Sequence, residues 1–119
     1  MMGVVVSAAN GCEYCQVHHA HAVDNYWKDA DKVLQLRKDF KKCDLDSRRL
    51  LMCEYAQALT LRPADFEEED YTIKLKAEGL SDSAVLDATL VVAYFNFVNR
   101  IVLSLGIELE GDRGTGYKY

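Results

Sequence analysis

Two cysteines and a cluster of imidazoles fall close together in Asn10-Gly11-Cys12-Glu13-Tyr14-Cys15-Gln16-Val17-His18-His19, with His21 two positions on. If the segment from Cys12 onward is helical, Cys12, Cys15 and His19 stand at i, i+3 and i+7 on adjoining turns of one face, and their side chains can meet. Asn10-Gly11 is a helix-stop and turn signal, which puts Cys12 at the start of a new helix. There, unsatisfied N–H groups and the macrodipole favour an anion. A thiol in such a place, or beside a protonated His, falls from about 8.5 to roughly 3.5–7.5 and becomes a nucleophile toward a peroxide or a disulfide. A zinc site is the main rival: Cys12, Cys15 and two of His18, His19 and His21 would supply four ligands. Structural zinc draws its ligand pairs from separate turns or elements, because one helix face rarely supplies a tetrahedron. Thiol redox chemistry is therefore expected over metal binding or chance packing of two cysteines.

Ser7-Ala8-Ala9-Asn10-Gly11-Cys12-Glu13-Tyr14-Cys15, followed by His18-His19, resembles the signature of the AhpD-like branch of the carboxymuconolactone decarboxylase superfamily, in particular its peroxidase-related members. Ala93-Tyr94-Phe95-Asn96-Phe97-Val98-Asn99-Arg100, then Leu105-Gly106-Ile107-Glu108-Leu109, resembles the terminal helix of the same group, so the resemblance spans essentially the whole chain. It implies an all-α AhpD-like helical bundle that assembles as a homo-oligomer, a trimer or hexamer. The family pattern is a Glu, eleven residues, then Cys-x-x-Cys-x-x-x-His. Cys12, Cys15 and His19 match it, whereas the Glu would fall immediately before Met1. A further helical segment usually precedes this point, so the resemblance implies an N-terminally incomplete chain. AhpD itself has a His where this chain has Tyr14. Both departures bear on the proton relay and leave the thiol pair intact.

The resemblance also assigns roles. Cys15 is the attacking thiol, passing through a sulfenic acid on meeting a hydroperoxide; Cys12 condenses with it to a disulfide; His19 takes the thiol proton, oriented in the family by the upstream Glu. A lipoylated or thioredoxin-like partner would reopen the disulfide, and neither cofactor nor metal is implied. The superfamily's other chemistry, decarboxylation or ring-opening of a small lactone acid with His19 as acid/base, needs no CxxC pair, so the pair counts against it.

The elements that must position these groups read as helices. With a single Pro and repeated Ala/Leu/Glu/Lys segments, the 119 residues suit one all-α domain, residues 1–119, with 107–119 as a flexible tail. The formal charge of -5 carries no concentrated basic face, which argues against nucleic acid. The opening apolar stretch lacks a basic start and is short for an export signal, and no run approaches membrane-spanning length, so a cytoplasmic protein without membrane contact is expected. Cysteines there stay reduced unless catalytic or redox-sensing. Cys43, after Lys41-Lys42, reads as an exposed spare thiol, and Cys53, among Leu50, Leu51, Met52 and Tyr55, as a buried small hydrophobe.

Met2 to Ala9 is expected to be the end of a helix, Cys12 to Trp27 the active-site helix, and Ala30 to Phe40 a short third. Asp46 or Ser47 caps a helix to Leu61, closed by Arg62-Pro63. Asp65 with Glu68 has the form of a capping box opening a helix to Glu78, its acidic first turn, Glu67 to Asp70, complementing the dipole. Ser81-Asp82-Ser83 starts the longest helix, Ala84 to Leu105, stopped by Gly106. It is apolar around its circumference, which points to burial against other subunits. Asn96, Asn99 and Arg100 interrupt that surface and read as capping, bridging or solvent-facing groups before chemical ones. His18 and His21 read first as surface or core residues.

Overall fold

The computed structural model describes residues 1–67 and 70–115. Its helices are α1 (Met2–Ala9), α2 (Glu13–Trp27), α3 (Ala30–Asp39), α4 (Ser47–Leu61), α5 (Tyr71–Ala77) and α6 (Asp82–Ser104), with 3-10 turns at Phe40–Lys42 and Pro63–Glu67. No strand occurs among the described residues. Local chemistry starts most of them. The carboxylates of Asp29, Asp46 and Asp70 accept the backbone N–H of Lys32, Arg49 and Ile73 at 3.0, 2.8 and 2.9 Å, and the Ser81 hydroxyl accepts that of Ala84 at 3.2 Å. Each satisfies an amide that the helix itself leaves without a partner.

The eight-residue α1 is the hub, packing against α2, α3, α4 and α6. It is buried from Met2 to Ser7, and so short a helix stands by tertiary packing rather than by its own propensity. Gly3 lets α6 approach: a Cβ there would lie 2.9 Å from the Phe95 ring. Val4, Val5 and Val6 join Leu36 and Phe40 from the α3 region, Cys53 and Ala56 from α4, Leu75 from α5 and Val92 from α6 in one core.

Four expectations are corrected. Cys43 is buried rather than exposed, because the turn at Phe40–Lys42 folds it back beneath α3, where its thiol lies 3.5 Å from the Lys32 carbonyl. The helix expected to open at Asp65 begins at Tyr71 instead. Asp65 is engaged by Arg62 at 3.0 Å, and Asp70 provides the cap. The acidic stretch therefore precedes α5 rather than forming its first turn, and Glu68 and Glu69 lie outside the described residues. Finally, α6 is long and apolar enough to cross a membrane, although only 28% of that window is buried within the chain. No uninterrupted apolar run is that long, but its few charges are spread so widely that the average over the window remains apolar.

The exposed side of α6 is an ordered stripe. Leu86, Leu90, Tyr94, Phe97, Ile101 and Leu105 recur at intervals of three and four residues, and Phe97 and Leu105 are 61% and 71% exposed. Of the residues expected as a flexible tail, 107–110 run without regular structure and 111–115 in turns against α2: Arg113 lies 3.5 Å from Glu13, and Gly114 is buried against His18. Residues 116–119 lie outside the described residues.

Candidate functional site

The α1–α2 junction builds the thiol pair. Asn10 ends α1 in a right-handed helical conformation, Gly11 turns the chain at φ +68°, and Cys12 is extended, which makes it the N-cap of α2 rather than its first helical residue. A left-handed φ of this kind is one that Gly adopts without strain. The Cys12 amide donates to the Ser7 carbonyl at 3.0 Å, tying the turn to α1. The Cys12 Sγ accepts the Cys15 amide at 3.4 Å and lies 2.7 Å from the Cys15 Sγ; both are free thiols.

Both sulfurs are covered. Cys12 and Cys15 are 1% and 3% exposed, enclosed by Val98 and Val102 of α6 and by Tyr14 of α2 itself. The tail secures this cover: Glu110 receives the Tyr14 hydroxyl at 3.0 Å on one carboxylate oxygen and lies 3.0 Å from His18 Nε2 on the other. Its own backbone amide, then Tyr14 and His18, hold the Glu110 carboxyl below its ordinary range.

This burial works against the ionisation expected of a thiol at this helix start. The Cys15 thiol is pushed up to about 12, first by burial and then by the hydrogen bond and the charge of Cys12, while its own amide pulls the other way. The helix terminus favours an anion, but desolvation and a second sulfur at 2.7 Å outweigh it. With both thiols under cover, the resting pair keeps the Cys15 proton on sulfur.

His19 lies one turn beyond Cys15, and its Nδ1 faces α1 rather than a sulfur: it is 3.0 Å from the Ser7 hydroxyl and 3.1 Å from the Gly3 carbonyl. The Phe95 ring meets it edge-on, with centroids 4.4 Å apart. Burial holds its pKa below the ordinary value, against the Gly3 carbonyl, which favours the charged ring. His18 adds to the lowering. The ring borders an apolar cleft of about 180 Å³ lined by Gly3, Val4, Val23, Tyr26 and Phe95 among others. His18 is engaged by Glu110, while His21 lines a different groove with Asp24 and Arg37. No three His, Cys, Asp or Glu side chains among the described residues gather as a metal site.

Of the asparagines of α6, Asn99 lies in the interior and Asn96 is half-buried. Asn99 is fully buried, donates to the Ser7 hydroxyl at 3.3 Å and accepts from Asn10 Nδ2 at 3.2 Å. Asn10 Nδ2 also reaches Asn96 Oδ1 at 3.0 Å, and Arg100 Nη1 donates to that same oxygen at 2.7 Å. A continuous polar chain thus runs from exposed Arg100 through Asn96, Asn10, Asn99 and Ser7 to His19. Sequence reasoning noticed the asparagines but missed their link to His19 and the part taken by Ser7. The one signal was a polar residue in the otherwise apolar run from Val4 to Ala9.

No known family profile matches the chain, and no curated protein matches it. A solved structure does: an uncharacterized peroxidase-related protein from Silicibacter sp. TM1040 is similar over 99% of this chain, with a TM-score of 0.90 and 28% sequence identity. This chain spans 61% of that protein's length. The fold shared with that peroxidase-related protein is all-helical and AhpD-like.

Proposed function

We propose that this chain is a peroxidase-related oxidoreductase of the AhpD-like group that reduces organic hydroperoxides through Cys12 and Cys15. The observation that carries the reading is the free thiol pair, 2.7 Å apart at the start of α2, with His19 one turn beyond. Once the site opens, the Cys15 thiolate attacks the distal peroxide oxygen. The O–O bond breaks, the alkoxide leaves and takes a proton as the alcohol, and sulfur is oxidised to a sulfenic acid. Cys12 sulfur then attacks the Cys15 sulfur, the S–O bond breaks, hydroxide leaves as water and a disulfide forms. Two electrons from a dithiol partner, lipoylated or thioredoxin-like, restore the pair. His19 takes the Cys15 proton at the outset, a role for which an imidazole is suited near neutral pH.

In this reading the α6 stripe seats further copies of the chain, in a trimer or hexamer working in the cytoplasm without nucleic acid or membrane contact. Light scattering on the purified chain tests the assembly.

The chemistry is tested by counting thiols in metal-free protein before and after one equivalent of an alkyl hydroperoxide, at neutral and alkaline pH. Two thiols are expected to vanish together, with Cys12→Ser accumulating a dimedone-reactive sulfenic acid at Cys15. If both thiols survive peroxide across that pH range, the peroxidase reading fails.

A further inference from the structure

The ring of His19 has two nitrogens, and which one carries the proton in the neutral state decides which can act as a base. The surroundings of Nδ1 fix the answer. The Gly3 carbonyl, 3.1 Å away, can only accept, so a bond to it requires a proton on Nδ1. The Ser7 hydroxyl has one hydrogen, directed to that same carbonyl at 2.7 Å. Its oxygen is therefore left to accept, from His19 Nδ1–H at 3.0 Å and from Asn99 Nδ2 at 3.3 Å. Asn99 is held in this sense by Asn10, which donates to its Oδ1 and so leaves its amide nitrogen facing Ser7. Each donor along this chain meets an acceptor, as a fully buried hydroxyl and amide require.

We propose that Ser7 and Asn99 are positioning residues for His19, adding to the Gly3 carbonyl a second, oriented acceptor that holds the ring in the Nδ1–H tautomer so that Nε2 is the basic nitrogen. The assignment deepens the peroxidase reading, because it names groups of this chain that orient the base. Ser7 does more than hold the ring: its carbonyl receives the Cys12 amide at 3.0 Å, so one residue of α1 fixes both the thiol turn and the base.

Imidazole nitrogen NMR of the reduced full chain tests the proposal. Neutral His19 is expected wholly in the Nδ1–H form in the unaltered protein, and with a measurable minor Nε2–H population in Ser7→Ala and Asn99→Ala, where the second acceptor is removed or freed to rotate and Gly3 alone still favours Nδ1–H. The same two variants are expected to oxidise their dithiol by alkyl hydroperoxide about tenfold more slowly, a part of the 10²–10⁴ that a placed acid or base contributes. Ser7→Thr, which restores the hydroxyl, is expected to recover both readouts. An Nε2–H tautomer in the unaltered chain overturns the assignment without any variant, as does Ser7→Ala with unchanged tautomer and rate. If the unaltered thiols ignore peroxide, the peroxidase reading falls while the tautomer measurement still judges the positioning.

Discussion

Cys15 offers the most direct test of the site's physics, through the pH dependence of its alkylation. Its thiol moves from 9.0 to about 12, with burial as the largest cause. At pH 7 a thiol of 9.0 is ionised in about one molecule in a hundred and one of about 12 in about one in 10⁵, so the thiolate is roughly a thousandfold scarcer. Since the thiolate is the nucleophile, native Cys15 is expected to react with iodoacetamide about a thousandfold more slowly at pH 7 than a free cysteine. Its rate is expected to climb about tenfold per pH unit from 7 to 10, where the free thiol is already levelling off. Peptide mapping assigns the label to Cys15 rather than to Cys12, Cys43 or Cys53. Cys12→Ser removes the second and third causes but not burial, so the midpoint comes down and stays above 9. A native rate that levels off at or below pH 9 refutes the argument that burial governs this sulfur.

Three further outcomes follow from the same geometry. Cys15 and Cys53 are both raised from 9.0 to about 12, so between these values the folded chain binds more protons than the unfolded one. Unfolding free energies from urea titration are expected to hold steady up to pH 9 and then fall toward pH 12, with a shallower fall in Cys53→Ala. Leu36, 1% exposed at the heart of the core, is expected to cost about 2–5 kcal/mol as Leu36→Ala, read by denaturant unfolding. At Gly114, with φ +75°, a Cβ would lie 2.6 Å from the His18 ring, so Gly114→Ala should lift the tail from α2. Alkylation of Cys12 and Cys15 is then expected to rise several-fold while that of fully buried Cys53 does not; unchanged labelling of the pair would show that the tail does not secure its cover.

The fold was legible where side-chain chemistry acts locally. Asp46 and Ser81 announce their helices because a short polar side chain satisfies its own helix's first amides, and the Cys12/Cys15 spacing specifies neighbours on adjoining turns. What failed depended on partners distant in sequence. Asp65 with Glu68 has the spacing of a capping box, yet Arg62 holds Asp65 and the helix waits for Asp70. Cys43 follows two lysines, yet the 3-10 turn before it returns its sulfur to the core. The thiolate expected at this helix start rested on the terminus and on a protonated His nearby, and nothing local reveals that Val98 and Val102 close over the pair. Asn99 likewise reads as an interruption until its partners Ser7 and Asn10 are seen across α1.

The tail's hold on the cover and the α1 hold on the base are separate sets of contacts, so the one can be broken without the other. Ser7 holds the Cys12 amide and the His19 ring, so the pair and its base share the α1 anchor. The cover comes instead from Tyr14, Val98 and Val102, and Tyr14 is fastened by the tail through Glu110. Releasing Glu110 would loosen the tail's hold on Tyr14 while leaving every bond from Ser7 and Asn99 in place. The sulfurs would gain water, and with it the solvation that burial now denies the Cys15 thiolate, while the tautomer of His19 stayed fixed. Access and activation would then arrive together: the movement that admits a peroxide would also lower the cost of ionising the thiol that attacks it.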